Sequence, residues 1–235
     1  MNFKIPALLV YTAIFLSGCA GGVTPDSVPF ARAPAAVSTG MQSEFKHALE
    51  LMAEGKYAEA LPLLEGIAAK NDQLPGVQVN LAIANMHMGT DKEYYDKAEK
   101  ALLRAIEIDS REAVTYNQLG LVYRRTGRFE ESKKAYRQAI SLDSDYSMPH
   151  LNMAILCDIY LQDLKCAIDY FEKYKLLVPQ QAQQTESWLA DLRRRAGIAE
   201  PVPAAAEPAV TEAATEATPT EAADTQMPPT QEVAQ

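Results

Sequence analysis

The feature that most constrains this chain is a pattern that returns about every 34 residues between Met41 and Gln181. Each period reads as two amphipathic helices joined by a short turn, with large apolar and small residues at fixed offsets. The periods 41–74, 75–112, 113–146 and 147–181 tile the stretch without a gap. One helix pair of this size cannot bury its apolar face alone, and stacked neighbours can. The pattern therefore predicts an all-α solenoid of four helix-turn-helix repeats sharing a continuous core.

The clearest copy is Ala113 to Tyr146, with Tyr116, Leu119-Gly120 and Tyr123 on its first helix and Gly127-Arg128-Phe129 at the turn. Ser132, Tyr136 and Ala139 follow on its second helix. This resembles the tetratricopeptide (TPR) consensus, with Ser132 in place of the usual Ala and Ser144 where Pro is common. Small residues let the paired helices approach, and aromatics fill the wedge beside them. The first copy carries Ala48, Leu51, Gly55-Lys56-Tyr57, Ala60, Leu64 and Ile67 in register. The second has Leu81-Ala82, Tyr95, Ala98, Leu102 and Ala105, with four extra residues near Thr90 to Tyr94. The fourth has Met153-Ala154, Ala167, Phe171, Tyr174 and Pro179, with one extra residue at its turn. A solenoid needs its last apolar face covered. Residues 182–197 are the expected capping helix, with Trp188, Leu189 and Leu192 on one side, Arg193 to Arg195 in the last turn and Gly197 as the stop.

The flanks have a different character. A short basic start, Met1 to Lys4, precedes the apolar run Ile5 to Leu16. As a helix that run spans about 18 Å, against roughly 30 Å of bilayer hydrocarbon, so residues 1–18 read as a signal peptide. Leu16-Ser17-Gly18-Cys19 resembles the lipobox of bacterial lipoproteins. The resemblance implies cleavage before Cys19 and acylation of that residue, giving membrane attachment through the N-terminal lipid. The alternative is an ordinary signal peptide with an incidental Cys. Ala20, rather than Asp, follows the Cys; by the same resemblance the destination is the periplasmic face of the outer membrane, if the cell is Gram-negative. Residues 19–40, rich in Gly, Ala, Pro, Ser and Thr, read as a flexible tether. Residues 198–235 are Pro, Ala, Thr, Glu and Gln with almost no large apolar residue, and are expected to stay disordered.

The formal net charge is −9, and residues 196–235 hold seven acids and no base, so nucleic acid is not an expected partner. No nucleotide loop, His-Glu-x-x-His or Cys-x-x-Cys is present. The register turns His47 toward helix packing, puts His150 at the first aromatic position and ends an inner helix with His87. These scattered histidines suggest no metal site, and no cofactor, small-molecule substrate or enzymatic activity is expected. Cys157 and Cys166 flank the fourth turn nearly symmetrically, and either bond to each other or stand as half-buried thiols.

The TPR resemblance also implies a peptide-binding groove on the first helix of each pair. By consensus position it takes Phe45, Leu49 and Met52 from the first repeat and Asn80, Ile83 and Met86 from the second. The third repeat gives Asn117, Gln118, Leu121, Arg124 and Arg125, and the fourth gives Asn152 and Ile155. One position reads Lys46, Asn80, Gln118, Asn152 down the array, a row of carboxamides able to donate to and accept from an extended backbone. The opposing reading has these amides bond within the repeats. Tyr95 aligns with core aromatics, whereas Tyr94 falls in the insertion and is expected at an exposed edge. The lipobox and the direct run into TPRs resemble lipoproteins that pilot type IV pilus secretins. A protein partner of the cell envelope is the expected ligand, and the chain is expected to act as an adaptor or assembly factor. The rival expectations are a scaffold for cell-wall hydrolases or an envelope motor, and a structural lipoprotein whose tail contacts peptidoglycan.

Overall fold

The computed structural model describes residues 38–198, and Cys19, the segment 1–18 and residues 199–235 lie outside them. Every regular element among the described residues is helical. The eight repeat helices are α1 (Thr39–Ala53), α2 (Tyr57–Lys70), α3 (Pro75–Met88), α4 (Lys92–Ile108), α5 (Ala113–Arg125), α6 (Phe129–Leu142), α7 (Ser147–Ile155) and α8 (Leu164–Leu177). The cap, α9 (Ala182–Arg195), follows the short 3₁₀ turn Pro179–Gln181. Helix α1 starts at Thr39, inside the stretch assigned to the tether, because Ser38 caps it by accepting from the Met41 N–H at 3.4 Å.

Each helix packs on the next along the chain, and α3, α5 and α7 also touch one another across repeats. The odd-numbered helices therefore form an inner row and α2, α4, α6 and α8 an outer one. The crossings are filled as the pattern requires. Ala48, Ala60, Ala82, Ala98, Ala139, Ala154 and Ala167 are fully buried. At the third crossing the departure from Ala is accommodated chemically: the buried Ser132 hydroxyl donates to the Gly120 carbonyl at 2.8 Å. The wedge beside it holds the fully buried ring of Tyr136.

The turns differ from repeat to repeat. In the first and third repeats, Gly55 (φ 77°) and Gly127 (φ 78°) end the inner helix in the left-handed conformation. The Lys56 and Arg128 N–H groups reach back to the Leu51 and Tyr123 carbonyls at 2.8 Å, closing Schellman turns. The insertion of the second repeat is absorbed by lengthening the outer helix: α4 has 17 residues where α2, α6 and α8 have 14. Tyr94 consequently lies in the first turn of α4, half-buried, and not on an exposed loop edge as its place in the insertion suggested. The extra residue of the fourth repeat becomes a π-helical turn, Leu156–Tyr160.

The cap docks through Leu189 and Leu192, both buried, with Trp188 against Phe171 at 5.4 Å between ring centroids. Lys175, Glu186 and Arg193 join its outer edge to α8: the Lys175 ammonium lies 2.7 Å from the Glu186 carboxylate, and Arg193 bridges Glu186 and Glu172. Gly197, at φ 68°, stops the helix as expected.

Candidate functional site

The sequence-selected residues lie on the inner helices α1, α3, α5 and α7. Phe45 and Met52 of α1, Asn80, Ile83 and Met86 of α3, and Asn117, Gln118 and Leu121 of α5 are all buried, as is Asn152 of α7. Leu49 and Ile155 are half-buried, and Arg125 is exposed. Lys46, which heads the row in the first repeat, is exposed and lies 3.5 Å from Glu50 on its own helix.

The carboxamides are not equivalent. Asn152 Nδ2 donates to Asn117 Oδ1 at 3.0 Å, so these two residues join the inner helices of the third and fourth repeats. Asn117 Nδ2 in turn donates to the Tyr146 hydroxyl at 3.4 Å. Burial raises the pKa of that phenol, the Asn117 bond working against the shift. Asn80 Nδ2 donates to the Gly76 carbonyl one turn back at 2.8 Å. Gln118 differs from all of these. It is fully buried, and neither Nε2 nor Oε1 has a hydrogen bond among the described residues.

Nearly two turns further along α5, Arg124 is 9% exposed and its Nε and Nη1 likewise lack a hydrogen bond among the described residues. Arg125 donates to the Tyr95 hydroxyl at 3.3 Å, linking two repeats. Arg124 and Arg125 are the two cations that consensus position assigns to the groove in the third repeat.

The histidines sort differently from their register. His150 packs as the aromatic it replaces: it is buried, with Nε2 3.0 Å from the Ser144 carbonyl, and burial lowers its pKa against that bond. His87 stacks on Tyr57 at 4.1 Å. His47 is not turned into packing; its side chain is 61% exposed and lies 3.9 Å from Glu50. Among the described residues no outer helix precedes α1 to cover it. Among the described residues no group of three or more His, Cys, Asp or Glu is placed to hold a metal ion. No described helix is long and apolar enough to cross a membrane.

Cys157 and Cys166 are joined, sulfur to sulfur at 2.01 Å, across the fourth hairpin. Cys157 is fully buried and Cys166 half-buried. Beside them Asp158, itself buried, pairs with Arg195 of the cap at 2.7 Å.

Residues 113–146, the clearest copy in the sequence, match the family model of the tetratricopeptide repeat. Among solved structures, the array is similar to that of pilF from Pseudomonas aeruginosa, with a TM-score of 0.58 and 20% identity over 67% of this chain and 69% of that one. It is also similar to a double mutant of MamA, with a TM-score of 0.57 and 15% identity over 68% of this chain and 87% of that one. At these identities the likeness is one of fold. A stretch of 78 residues is 35% identical to the rhomboid protease GluP of Bacillus subtilis (strain 168), covering 33% of this chain. The chain spans only 15% of the length of that curated relative. TPR arrays typically serve as protein-interaction adaptors. The described residues form a tetratricopeptide-repeat array, and 113–146 is the repeat that carries the family's sequence pattern.

Proposed function

We propose that this chain is a membrane-anchored adaptor of the cell envelope that holds an extended polypeptide segment along its inner helices. Gln118 carries the reading. A fully buried carboxamide with donor and acceptor both unpaired costs about 1–3 kcal/mol for each unmet group. One peptide unit of an extended partner offers the matching C=O and N–H. The inner-helix residues Ile83, Leu121 and Ile155 supply contact tolerant of partner sequence, and Arg124 supplies a cation nearly two turns along α5. These side chains are covered within the chain on its own, so binding is an exchange of contacts. The partner replaces what covers the row.

Leu16-Ser17-Gly18-Cys19 supports an anchor on acylated Cys19 and a place at the periplasmic face of the outer membrane. The same four residues, followed directly by TPRs as in pilotin-type lipoproteins, and the likeness of the array to pilF support a role in assembling a pilus or secretion machine. The test is a crosslinked pull-down from detergent-solubilised envelopes. It compares the unaltered chain with one in which Asn80, Gln118 and Asn152 are replaced by Ala. Capture of the partner falls about tenfold or more with far-ultraviolet circular dichroism unchanged, as lost buried hydrogen bonds require. Equal capture by both chains refutes the reading. Cys19→Ser separates the anchor from the groove: it releases the chain from membranes and leaves partner binding intact.

A further inference from the structure

The fourth turn is closed by different means from the first and third. Where those use a left-handed glycine, the fourth has no glycine; its π-helical turn Leu156–Tyr160 leads to Gln162 at φ 54°. That conformation is uncommon for a side-chain-bearing residue and is held only by its surroundings. Backbone hydrogen bonds from the Leu161 and Asp163 N–H groups to the Leu156 and Cys157 carbonyls help to hold it. The covalent restraint is the Cys157–Cys166 bond, whose Cα atoms stand 5.8 Å apart and whose partners are separated by nine positions. The turn carries a second link. Asp158, next to Cys157, reaches Arg195 in the last turn of the cap. One short segment therefore couples the disulfide to the end of α9.

The two sulfurs are not equally open. Cys157 is fully buried, while Cys166, the third residue of α8, is half-buried. The turn gives Leu156 and Cys157 to the neighbouring core, and Tyr136, Phe171, Tyr174 and Leu189 hold the rest of it from the helices. Opening the bond leaves those four helix residues in place.

We propose that Cys157–Cys166 is a thiol–disulfide exchange site, entered at Cys166 by a dithiol reductant, whose opening loosens the fourth turn and the end of the cap while the array stays folded. A thiolate of the dithiol attacks Cys166 Sγ; the bond between the cysteines breaks and Cys157 leaves as the thiolate. The second thiolate of the reductant attacks the reductant's own sulfur in the mixed disulfide, and Cys166 leaves. Two electrons pass to the pair, the reductant becomes a disulfide, and its two protons end on Cys157 and Cys166. The first turn of α8 favours the departing Cys166 thiolate through its N–H groups and dipole. The Asp163 carboxylate, which accepts from the Cys166 N–H at 3.0 Å, opposes it. Once the bond is open, Gln162 can leave its left-handed conformation, and Asp158 moves with the turn, leaving Arg195.

The test treats the full folded chain with dithiothreitol, counts alkylated thiols by mass, and follows backbone hydrogen exchange. Exchange in 156–163 and 193–198 rises about tenfold or more on reduction, while α1 to α5 keep their protection. A monothiol in limited amount is recovered on Cys166. The Cys157→Ser, Cys166→Ser double variant shows the reduced pattern and no longer responds to dithiothreitol. The proposal is overturned if the folded chain resists reduction, if the mixed disulfide forms on Cys157, or if exchange in the turn and cap does not rise. It is equally overturned if protection collapses throughout the array or the double variant fails to fold, because the bond is then a structural staple.

Discussion

Replacing Gly120 by Ala tests the packing argument at the tightest crossing of the array. A Cβ built on Gly120 would stand 2.5 Å from both Cδ1 and Cε1 of Tyr136 and 3.0 Å from Cζ. Ordinary carbon contacts lie at about 3.5–4.0 Å, so the ring or the helix must retreat by roughly 1 Å. Tyr136 is fully buried, so the ring has no free direction in which to turn. The Gly120 carbonyl also holds the Ser132 hydroxyl, and a shift of α5 strains that bond as well. Overpacking in a close-packed core costs about 1–3 kcal/mol, and a displacement of this size belongs in the upper half of that range. Against it stands the helix-propensity gain of Gly to Ala, about 1 kcal/mol. The net expectation is a loss of about 1–2 kcal/mol.

Gly66 is the internal control. It lies exposed within α2, and a Cβ there meets nothing within 4 Å. Gly66→Ala therefore keeps the propensity gain alone and stabilises by about 0.8–1 kcal/mol. Urea unfolding, followed by far-ultraviolet circular dichroism and by Trp188 fluorescence, reads both. With a slope of about 2 kcal/mol per molar, Gly120→Ala lowers the midpoint by roughly 0.5–1 M and Gly66→Ala raises it by roughly 0.4–0.5 M. Adding Tyr136→Leu removes the crowded ring atoms, so the pair couples by about 1–2 kcal/mol in the direction of rescue. A Gly120→Ala chain as stable as the unaltered one, or a double variant with no coupling, refutes the account of this crossing.

The cap supplies the remaining predictions. Hydrogen bonds from Lys175, then Arg193, hold the Glu186 carboxyl below its usual pKa. A depressed folded pKa means that this contribution is present above the unfolded carboxylate pKa and is lost as pH falls through the folded one. Trp188, the single tryptophan, reports it: its environment changes on acidification below the usual carboxylate range, and Glu186→Gln removes that part of the change. The effect is modest, because the Glu186 side chain is 46% exposed and its charge is screened. Arg195→Ala leaves the Asp158 carboxylate, only 10% exposed, without its partner, costing about 1–3 kcal/mol in the same urea assay. Leu189→Ala empties a fully buried position between α8 and α9 and costs about 2–5 kcal/mol; a loss below 1 kcal/mol would show that the cap is not packed as described.

What the sequence made legible follows from where the physics leaves no choice. The alanines at helix crossings and the aromatics beside them are dictated by close packing, so repeat boundaries and the cap could be read without coordinates. His47 escaped the same rule because it sits on α1, and among the described residues no earlier outer helix covers the side that the register marks as packed. Turns were less legible, since extra residues can be absorbed in several ways. The four near Thr90 lengthen α4; the one after Ile155 becomes a π-turn, tied by contacts from Cys166 and Arg195. The site shows the limit most plainly in two adjacent residues. Asn117 and Gln118 are both inner-helix carboxamides, and composition treats them alike. Helical geometry turns Asn117 toward Asn152 at 3.0 Å and leaves Gln118, about 100° further around α5, without a hydrogen-bond partner among the described residues for either end of its amide. A row of amides could be read from register. Which of them holds the array together and which is left to hold something else depends on that rotation and on the length of one side chain.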